Sequence, residues 1–288
     1  MIELDIPCFD LRAIMESGQV FRMYEREENR FDIYAGSRHL KAVNDGSKVL
    51  LFCEKAEYEA FWRNYFDIDR DYAGMIERVR KACRENGFLL RAALECSGIR
   101  VLKQDLFEML ITFIISQQKQ IPSIRRCVEA LCERLGQRID EDGGYYAFPT
   151  PKAIACAGLE GLDGLSLGYR QPYIYESAVR YLEEGVSEGS FAEMSYEQSK
   201  EFLKSFRGVG EKVANCICLF ALHKVEAFPV DTHVKDILFR EFYDGGLAKD
   251  RLRDSDYAEL VRERFKGFDD IKGILQQWMF AYEIKNGK

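Results

Sequence analysis

Apolar and polar residues alternate along Phe31-Asp-Ile-Tyr-Ala, the two-residue period of a strand with one covered face. After Gly36, two further runs, His39–Val43 and Lys48–Cys53, flank Asn44-Asp-Gly-Ser, and Asp-Gly between such runs predicts a hairpin. From about residue 56 to residue 95 the pattern turns helical, with Tyr58, Phe61, Trp62 and Phe66 on it. Beyond residue 99 no strand is predicted. Leu106, Leu110, Phe113 and Ile114 place a helix over 105–117, and Ile124, Val128, Leu131 and Leu135 place another over 121–135, closed by Gly136. Ser195-Tyr-Glu-Gln198 has the spacing of a capping box and predicts a helix running to Phe206. A helix over Glu211–Leu222 follows one short turn later, and others are predicted to open at Asp231, Ser255 and Asp270. No repeat, low-complexity tract or linker interrupts the pattern. The expected fold is α+β: an N-terminal antiparallel sheet domain with helices over 1–98, then an all-helical domain over 99–288 with a helical hairpin at about 196–222.

The 288 residues are enough for two domains, and a 47% hydrophobic, 31% charged composition is that of a globular chain. No apolar run approaches the roughly 18–20 residues a spanning helix needs. Met1-Ile-Glu-Leu-Asp has no basic stretch leading into an apolar one. The nine cysteines are odd in number, scattered and never spaced C-x-x-C. These features predict a reduced, cytoplasmic protein with no membrane partner, no metal site and no cofactor. A net charge of −7 counts against a nucleic-acid partner when read alone. The charge is unevenly placed, however: residues 96–132 carry +2 and 201–240 carry +1, whereas 133–200 carry −6. The two positive segments hold Lys119, Arg125, Arg126, Lys204, Arg207 and Lys212, so the surface is expected to be polarised.

The stretch richest in chemistry is Leu203-Lys-Ser-Phe-Arg-Gly208-Val209-Gly210-Glu211-Lys212, with Cys216 one helical turn further on. Glycines between two helices allow a tight turn, and the start of the second helix directs unpaired N–H groups and the positive dipole end outward, a fit for phosphate. The plainer reading is a simple helical hairpin. Lys212 lies in the first turn of that helix, where a cation is disfavoured and a neutral amine nucleophile favoured; its plainer reading is a solvated lysine. In Phe228-Pro-Val-Asp231-Thr-His233, Asp231 reads as a helix N-cap, and also as a carboxylate held ionised to stabilise a cation or handle a proton.

Leu-x-x-Phe-x-Gly-Val-Gly-x-Lys followed by Pro-Val-Asp-x-His resembles the helix-hairpin-helix DNA glycosylases, and within them the 8-oxoguanine DNA glycosylase/AP lyases. Four more elements carry the resemblance in order: Ser17-Gly-Gln-Val-Phe-Arg22, Phe113-Ile-Ile-Ser-Gln-Gln118, Leu167-Gly-Tyr-Arg170 and Gly273-Ile-Leu-Gln276-Gln-Trp-Met-Phe280. The resemblance implies a bifunctional enzyme that flips 8-oxoguanine out of double-stranded DNA, excises it and cleaves the strand by β-elimination. A monomer acting without cofactor is expected. Lys212 would be the Schiff-base nucleophile and Asp231 would stabilise the developing positive charge. Gly18 would offer its carbonyl to the N7–H of the lesion, Phe280 and Cys216 would sandwich the base, and Gln276 would read its Watson–Crick edge. Gln118 and Tyr169 would fill or wedge the emptied duplex, Arg170 would meet the orphaned partner base, and Gly208, Val209, Gly210 and His233 would bind phosphates. Flipping a base demands an intercalating group, a stacking platform, a polar reader and a backbone clamp, and these residues supply a candidate for each.

Departures from the family pattern are few. Arg207 stands where the hairpin commonly has proline, Met23 where tryptophan is common, Gln118 where eukaryotic members have asparagine, and Ser123 where those members carry a second arginine that reads the opposite cytosine. No cysteine lies beyond Cys218, which excludes the four-cysteine cluster of the endonuclease III branch. Two alternatives stay open: an alkylbase (3-methyladenine type) glycosylase, against which Lys212 argues, and a non-catalytic DNA-binding protein that uses the hairpin as a phosphate clamp.

Overall fold

The computed structural model describes residues 1–83, 87–139 and 144–287. Five antiparallel strands, β1 (Ile2–Leu4), β2 (Met23–Glu27), β3 (Arg30–Ala35), β4 (Arg38–Asp45) and β5 (Lys48–Phe52), form one sheet in the order β1-β5-β4-β3-β2. The Asp-Gly hairpin forms as predicted, with Asp45 opposite Lys48. The register sets Phe31 opposite Ala42 and Ile33 opposite Leu40, so the alternating apolar residues share one face. That face packs on α1 (Leu11–Glu16) and on a continuous helical stretch made of α2 (Lys55–Glu57), a π-helical turn (Tyr58–Trp62) and α3 (Arg63–Tyr65). The edge strands β1 and β2 and helix α1 were not among the predicted elements. Three residues leave β1 no periodicity, and β2 reads Met-Tyr-Glu-Arg-Glu, with a bulge between Glu25 and Glu27.

The remaining helices are α4 (Tyr72–Ala82), α5 (Phe88–Glu95), α6 (Leu106–Ser116), α7 (Ile121–Leu135), α8 (Pro151–Ala157), α9 (Gln171–Glu183), α10 (Tyr196–Lys204), α11 (Glu211–Phe220), α12 (Thr232–Phe242), α13 (Asp254–Arg264) and α14 (Lys272–Asn286). Gly136 closes α7 as the sequence predicted, and Asp105, expected as the first residue of α6, is its N-cap. Helices α8 and α9, absent from the predicted elements, begin with proline in their first turn, which suits a helix start. The capping box at Ser195 forms in full, but α10 ends at Lys204 rather than Phe206, because Ser205 closes it with short-range bonds to Phe202 and Leu203. Helix α11 likewise stops at Phe220 rather than Leu222. Helix α13 starts at Asp254, and α14 at Lys272 after a turn through Phe268–Ile271.

Every residue of α11 from Val213 to Phe220 is buried, so this helix is the axis of the helical core. Helices α4 and α5 bury their apolar faces in that same core, α5 against α14. The helical core thus takes in α4 and α5 of the expected N-terminal domain together with Phe21, while Leu102 packs in the sheet core. Two buried arginines fasten the sheet side to the helices. Arg22 donates to Glu129 on α7 (2.9 Å) and to the Tyr146 carbonyl; Arg100 donates to the carbonyls of Pro7, Cys8 and Asp67. Among the described residues no helix is long and apolar enough to cross a membrane.

Candidate active site

A cavity of about 910 Å³ opens where α6, α7, α11, α12, α14 and the loop after α1 converge. Gly18, Gln118, Lys212, Asp231, His233 and Phe280 all line it, so the structure gathers six of the predicted residues from five separate stretches of chain. Lys212 is the second residue of α11. Its position follows from Gly210, which ends the turn as the N-cap and has no side chain to cap the helix. The Lys212 Nζ lies 5.3 Å from the centre of the Phe113 ring, over an aromatic floor. Asp231 caps α12: its Oδ1 accepts from the Val234 N–H at 2.9 Å. A carboxylate at a helix start accepts from the first-turn amides and faces the positive end of the helix dipole.

Cys216 and Gln276 are buried and do not line the cavity surface. Cys216 lies one turn after Lys212. Burial pushes its thiol up from its ordinary range, the adjacent Lys212 ammonium draws it down, and Asp231 adds to the rise, so the three groups share one neighbourhood. Gln276 lies one turn before Phe280 on α14, and its Oε1 is a buried acceptor with no hydrogen-bond partner among the described residues. An orphaned buried acceptor is costly and calls for a partner that arrives later. Phe280 faces the His233 ring edge-on at 6.2 Å, and its Cε1 would lie 3.0 Å from a Cβ placed on Gly18.

The other predicted residues form a second cluster beside the cavity. Gly208 adopts φ +84, and a Cβ there would run into the Tyr173 ring, so glycine is required twice over. Val209 is buried, and its N–H donates to the Phe206 carbonyl, so of the Gly-Val-Gly residues only Gly210 is exposed. Tyr169 is 47% exposed and packs against Tyr173 at 6.0 Å. Arg170 is only 6% exposed: it donates to the Gln117 and Leu167 carbonyls and lies 4.3 Å from the Tyr169 ring centre. Gln118, just past the end of α6, adopts φ +52, a left-handed conformation uncommon for a non-glycine residue.

Three features of the site were not anticipated. Gln117 joins the two clusters, donating to the Gly208 carbonyl at 2.9 Å while its own carbonyl receives Arg170. Lys235 and Asp254 sit at the cavity wall as an ion pair at 2.5 Å; Lys235 is one turn beyond Asp231, the only local signal for it. Gln277 donates to the Ser17 carbonyl at 2.6 Å across 260 residues of sequence, which no local pattern announces.

A small antiparallel sheet domain, a helical domain and a glycine hairpin with lysine behind it define a base-excision repair fold. The comparisons with known proteins agree. Residues 1–110 match the model of the 8-oxoguanine DNA glycosylase N-terminal domain, and residues 111–262 match that of the HhH-GPD superfamily base excision DNA repair proteins. The chain belongs to this superfamily, and its first 110 residues carry the N-terminal domain of the 8-oxoguanine DNA glycosylases. It is 36% identical over 164 residues to an N-glycosylase/DNA lyase of Saccharomyces cerevisiae, covering 52% of this chain and 44% of that protein. It is 30% identical over 211 residues to a probable N-glycosylase/DNA lyase of Methanothermobacter thermautotrophicus, covering 66% and 65%. The chain thus spans less than two thirds of the length of these curated relatives. Its fold superposes on the 8-oxoguanine glycosylase/lyase of Clostridium acetobutylicum, solved with double-stranded DNA carrying cytosine opposite 8-oxoG. That match has a TM-score of 0.89 and 28% identity over 98% of this chain and 94% of that one.

Proposed function

We propose that this chain is a bifunctional DNA glycosylase and lyase that acts, as a monomer, on 8-oxoguanine in duplex DNA. The observation that carries the reading is the single cavity in which Lys212, Asp231, Gly18 and Phe280 meet above Cys216. The reacting nucleotide leaves the stack, and Gln118 and Tyr169 take its place while Gly208, Gly210 and His233 hold the backbone. The flipped base lies between Phe280 and Cys216. The orphaned Oε1 of Gln276 then receives donors from its Watson–Crick edge. The Lys212 amine attacks C1′ with its lone pair, the bond from C1′ to N9 breaks, and the base departs with that electron pair and a proton. Asp231 stabilises the positive charge that builds on the sugar. The attached nitrogen loses a proton, and its lone pair forms the C1′=N bond of the Schiff base as the C1′–O4′ bond breaks and O4′ takes up a proton, opening the sugar ring. Removal of a C2′ proton then expels the 3′ phosphate, which cleaves the strand. Val209 contributes by packing the hairpin.

The test is borohydride trapping on duplex DNA containing 8-oxoguanine. Wild-type protein should leave a covalent adduct, and Lys212→Gln should leave none while still binding DNA, because the helix amides are untouched. Strand cleavage by Lys212→Gln at the wild-type rate would remove the lysine from the mechanism. Base release without any adduct in the wild type would instead favour a monofunctional alkylbase enzyme, and DNA binding without base release a non-catalytic clamp.

A further inference from the structure

The tripeptide Ser17-Gly18-Gln19 is held from every side by buried amides. Gln277, 2% exposed on α14, donates to the Ser17 carbonyl at 2.6 Å. Gln104, 5% exposed just ahead of α6, donates to the Gln19 carbonyl at 2.9 Å. The Gln19 side chain is wholly buried; its Nε2 donates to the Arg100 carbonyl and to Ser17 Oγ, both at 3.0 Å, and its Oε1 accepts from the Leu102 N–H at 2.8 Å. The carbonyls on either side of residue 18 are therefore occupied. Among the described residues no donor reaches the Gly18 carbonyl. A loop whose neighbouring carbonyls are taken and whose central one is left open has a single acceptor to offer.

We propose that Gln19, Gln104 and Gln277 are positioning residues for lesion recognition, a clamp that aims the Gly18 carbonyl at the flipped base. The inference rests on the function proposed above and adds to it a reason for the accuracy of reading. Gln277 has a further part, because its helix also carries Gln276 and Phe280. Its bond to Ser17 fixes the gap between the two walls of the base pocket, the loop on one side and α14 on the other. Discrimination of 8-oxoguanine from guanine depends on one N–H, and a carbonyl that wandered by about an ångström would lose it. Glutamine amides suit such a clamp because each is neutral, and the buried polar groups it meets are satisfied without introducing a charge.

The clamp serves base reading and not sugar chemistry, which separates it from a merely structural role. The experiment compares two single-turnover rates for each variant: excision of 8-oxoguanine opposite cytosine, and cleavage of a duplex bearing a preformed abasic site, where no base is read. Gln277→Met fills the same volume without the donor, and Gln104→Met does so at the other carbonyl. Each should lower excision about tenfold or more and leave abasic cleavage within about twofold. Gln277→Glu, the same shape without an amide donor, should behave as Gln277→Met does. Unchanged excision, or excision and abasic cleavage falling by one common factor, overturns the proposal. If Gln277→Met does not fold, Gln104→Met carries the same comparison at the other carbonyl. A wild-type protein inactive on both substrates would instead refute the parent function.

Discussion

A methyl group at Gly18 tests the reading pocket with the smallest possible perturbation. Gly18 has φ +80, and the Cβ of an alanine there would lie 3.0 Å from Phe280 Cε1 and 3.7 Å from Ile121 Cδ1. Two effects follow. Holding alanine in the left-handed region costs roughly 1–2 kcal/mol. The Phe280 contact is tighter than ordinary van der Waals distance, so one neighbour must yield by a few tenths of an ångström. Bonds from Gln277 and Gln104 hold the loop on both sides, so the yielding falls on Phe280, the ring proposed to stack on the base. Gly18→Ala should therefore melt only a few degrees below the wild type, at about 2–4 °C per kcal/mol for a chain approaching this size. Excision of 8-oxoguanine should fall about ten- to a hundredfold, the scale of a sub-ångström misplacement in an active site. Cleavage of a preformed abasic site should hardly change, because Lys212 and Asp231 are not displaced. The assay is single-turnover kinetics on both substrates beside a thermal melt. Wild-type excision despite the lowered melting point would place the reading pocket elsewhere, and a parallel loss on the abasic substrate would mean general damage to the fold.

Three other outcomes are expected. Asp231→Asn should keep the stability of α12, since asparagine caps about as well and its oxygen can still accept from Val234, yet slow single-turnover excision; an unchanged rate would return Asp231 to capping alone. Glu108, buried on α6 and accepting from the Gly36 N–H at 3.0 Å, has its carboxyl pushed up to about 7 by desolvation, with Arg22 drawing it down. The folded chain thus holds this proton when the unfolded chain has lost it, so stability falls as pH rises from the ordinary glutamate range through 7, by about 3 kcal/mol from this group. Glu108→Gln should then melt progressively above the wild type between pH 5 and pH 8, and an equal difference at both pH values would refute this. Ser123, in the first turn of α7, is too short to act as a second arginine fork, and Arg170 must release two carbonyls to reach a base. Excision opposite the four bases should show a weak preference for cytosine that Ser123→Arg sharpens by about 1–3 kcal/mol, roughly one to two powers of ten; a steep preference surviving Arg170→Ala would assign the reading to another residue.

What the sequence disclosed about this molecule was whatever short-range spacing encodes. The Asp-Gly hairpin, the capping box at Ser195, the cap at Asp231 and the start of α11 are decided within four or five residues, and they stand where predicted. The edge strands escaped because an edge needs little apolar patterning. The extent of the helical core escaped because α5, with α4 packed on it, precedes the long helical region in sequence yet finds its partner in α14 near the other end of the chain. Within the site, Lys212 and Asp231 were legible because each sits at a helix start, where position alone gives a charge its meaning. Arg170 was legible as a residue type but not as a state: that its guanidinium is buried on the Gln117 and Leu167 carbonyls depends on the turn after α6 meeting the turn before α9.

That limit bears on what the sheet domain is for. Its strands contribute none of the residues proposed for chemistry on the sugar, which all come from helices near the hairpin. It delivers the loop after α1, and the delivery is what Arg22, Arg100 and the three glutamines secure. The cavity needs both parts: α11 and α12 bring the amine and the carboxylate, α14 brings the Phe280 ring and the Gln276 oxygen, and the loop brings the Gly18 carbonyl, the last two without a hydrogen-bond partner among the described residues. A hairpin domain alone would retain nucleophile and phosphate clamp yet lack one wall of the base pocket. On the function proposed above, selectivity for one oxidised base resides at the seam between the two cores, where substitutions on either side should change what is excised before they change whether the strand can be cut.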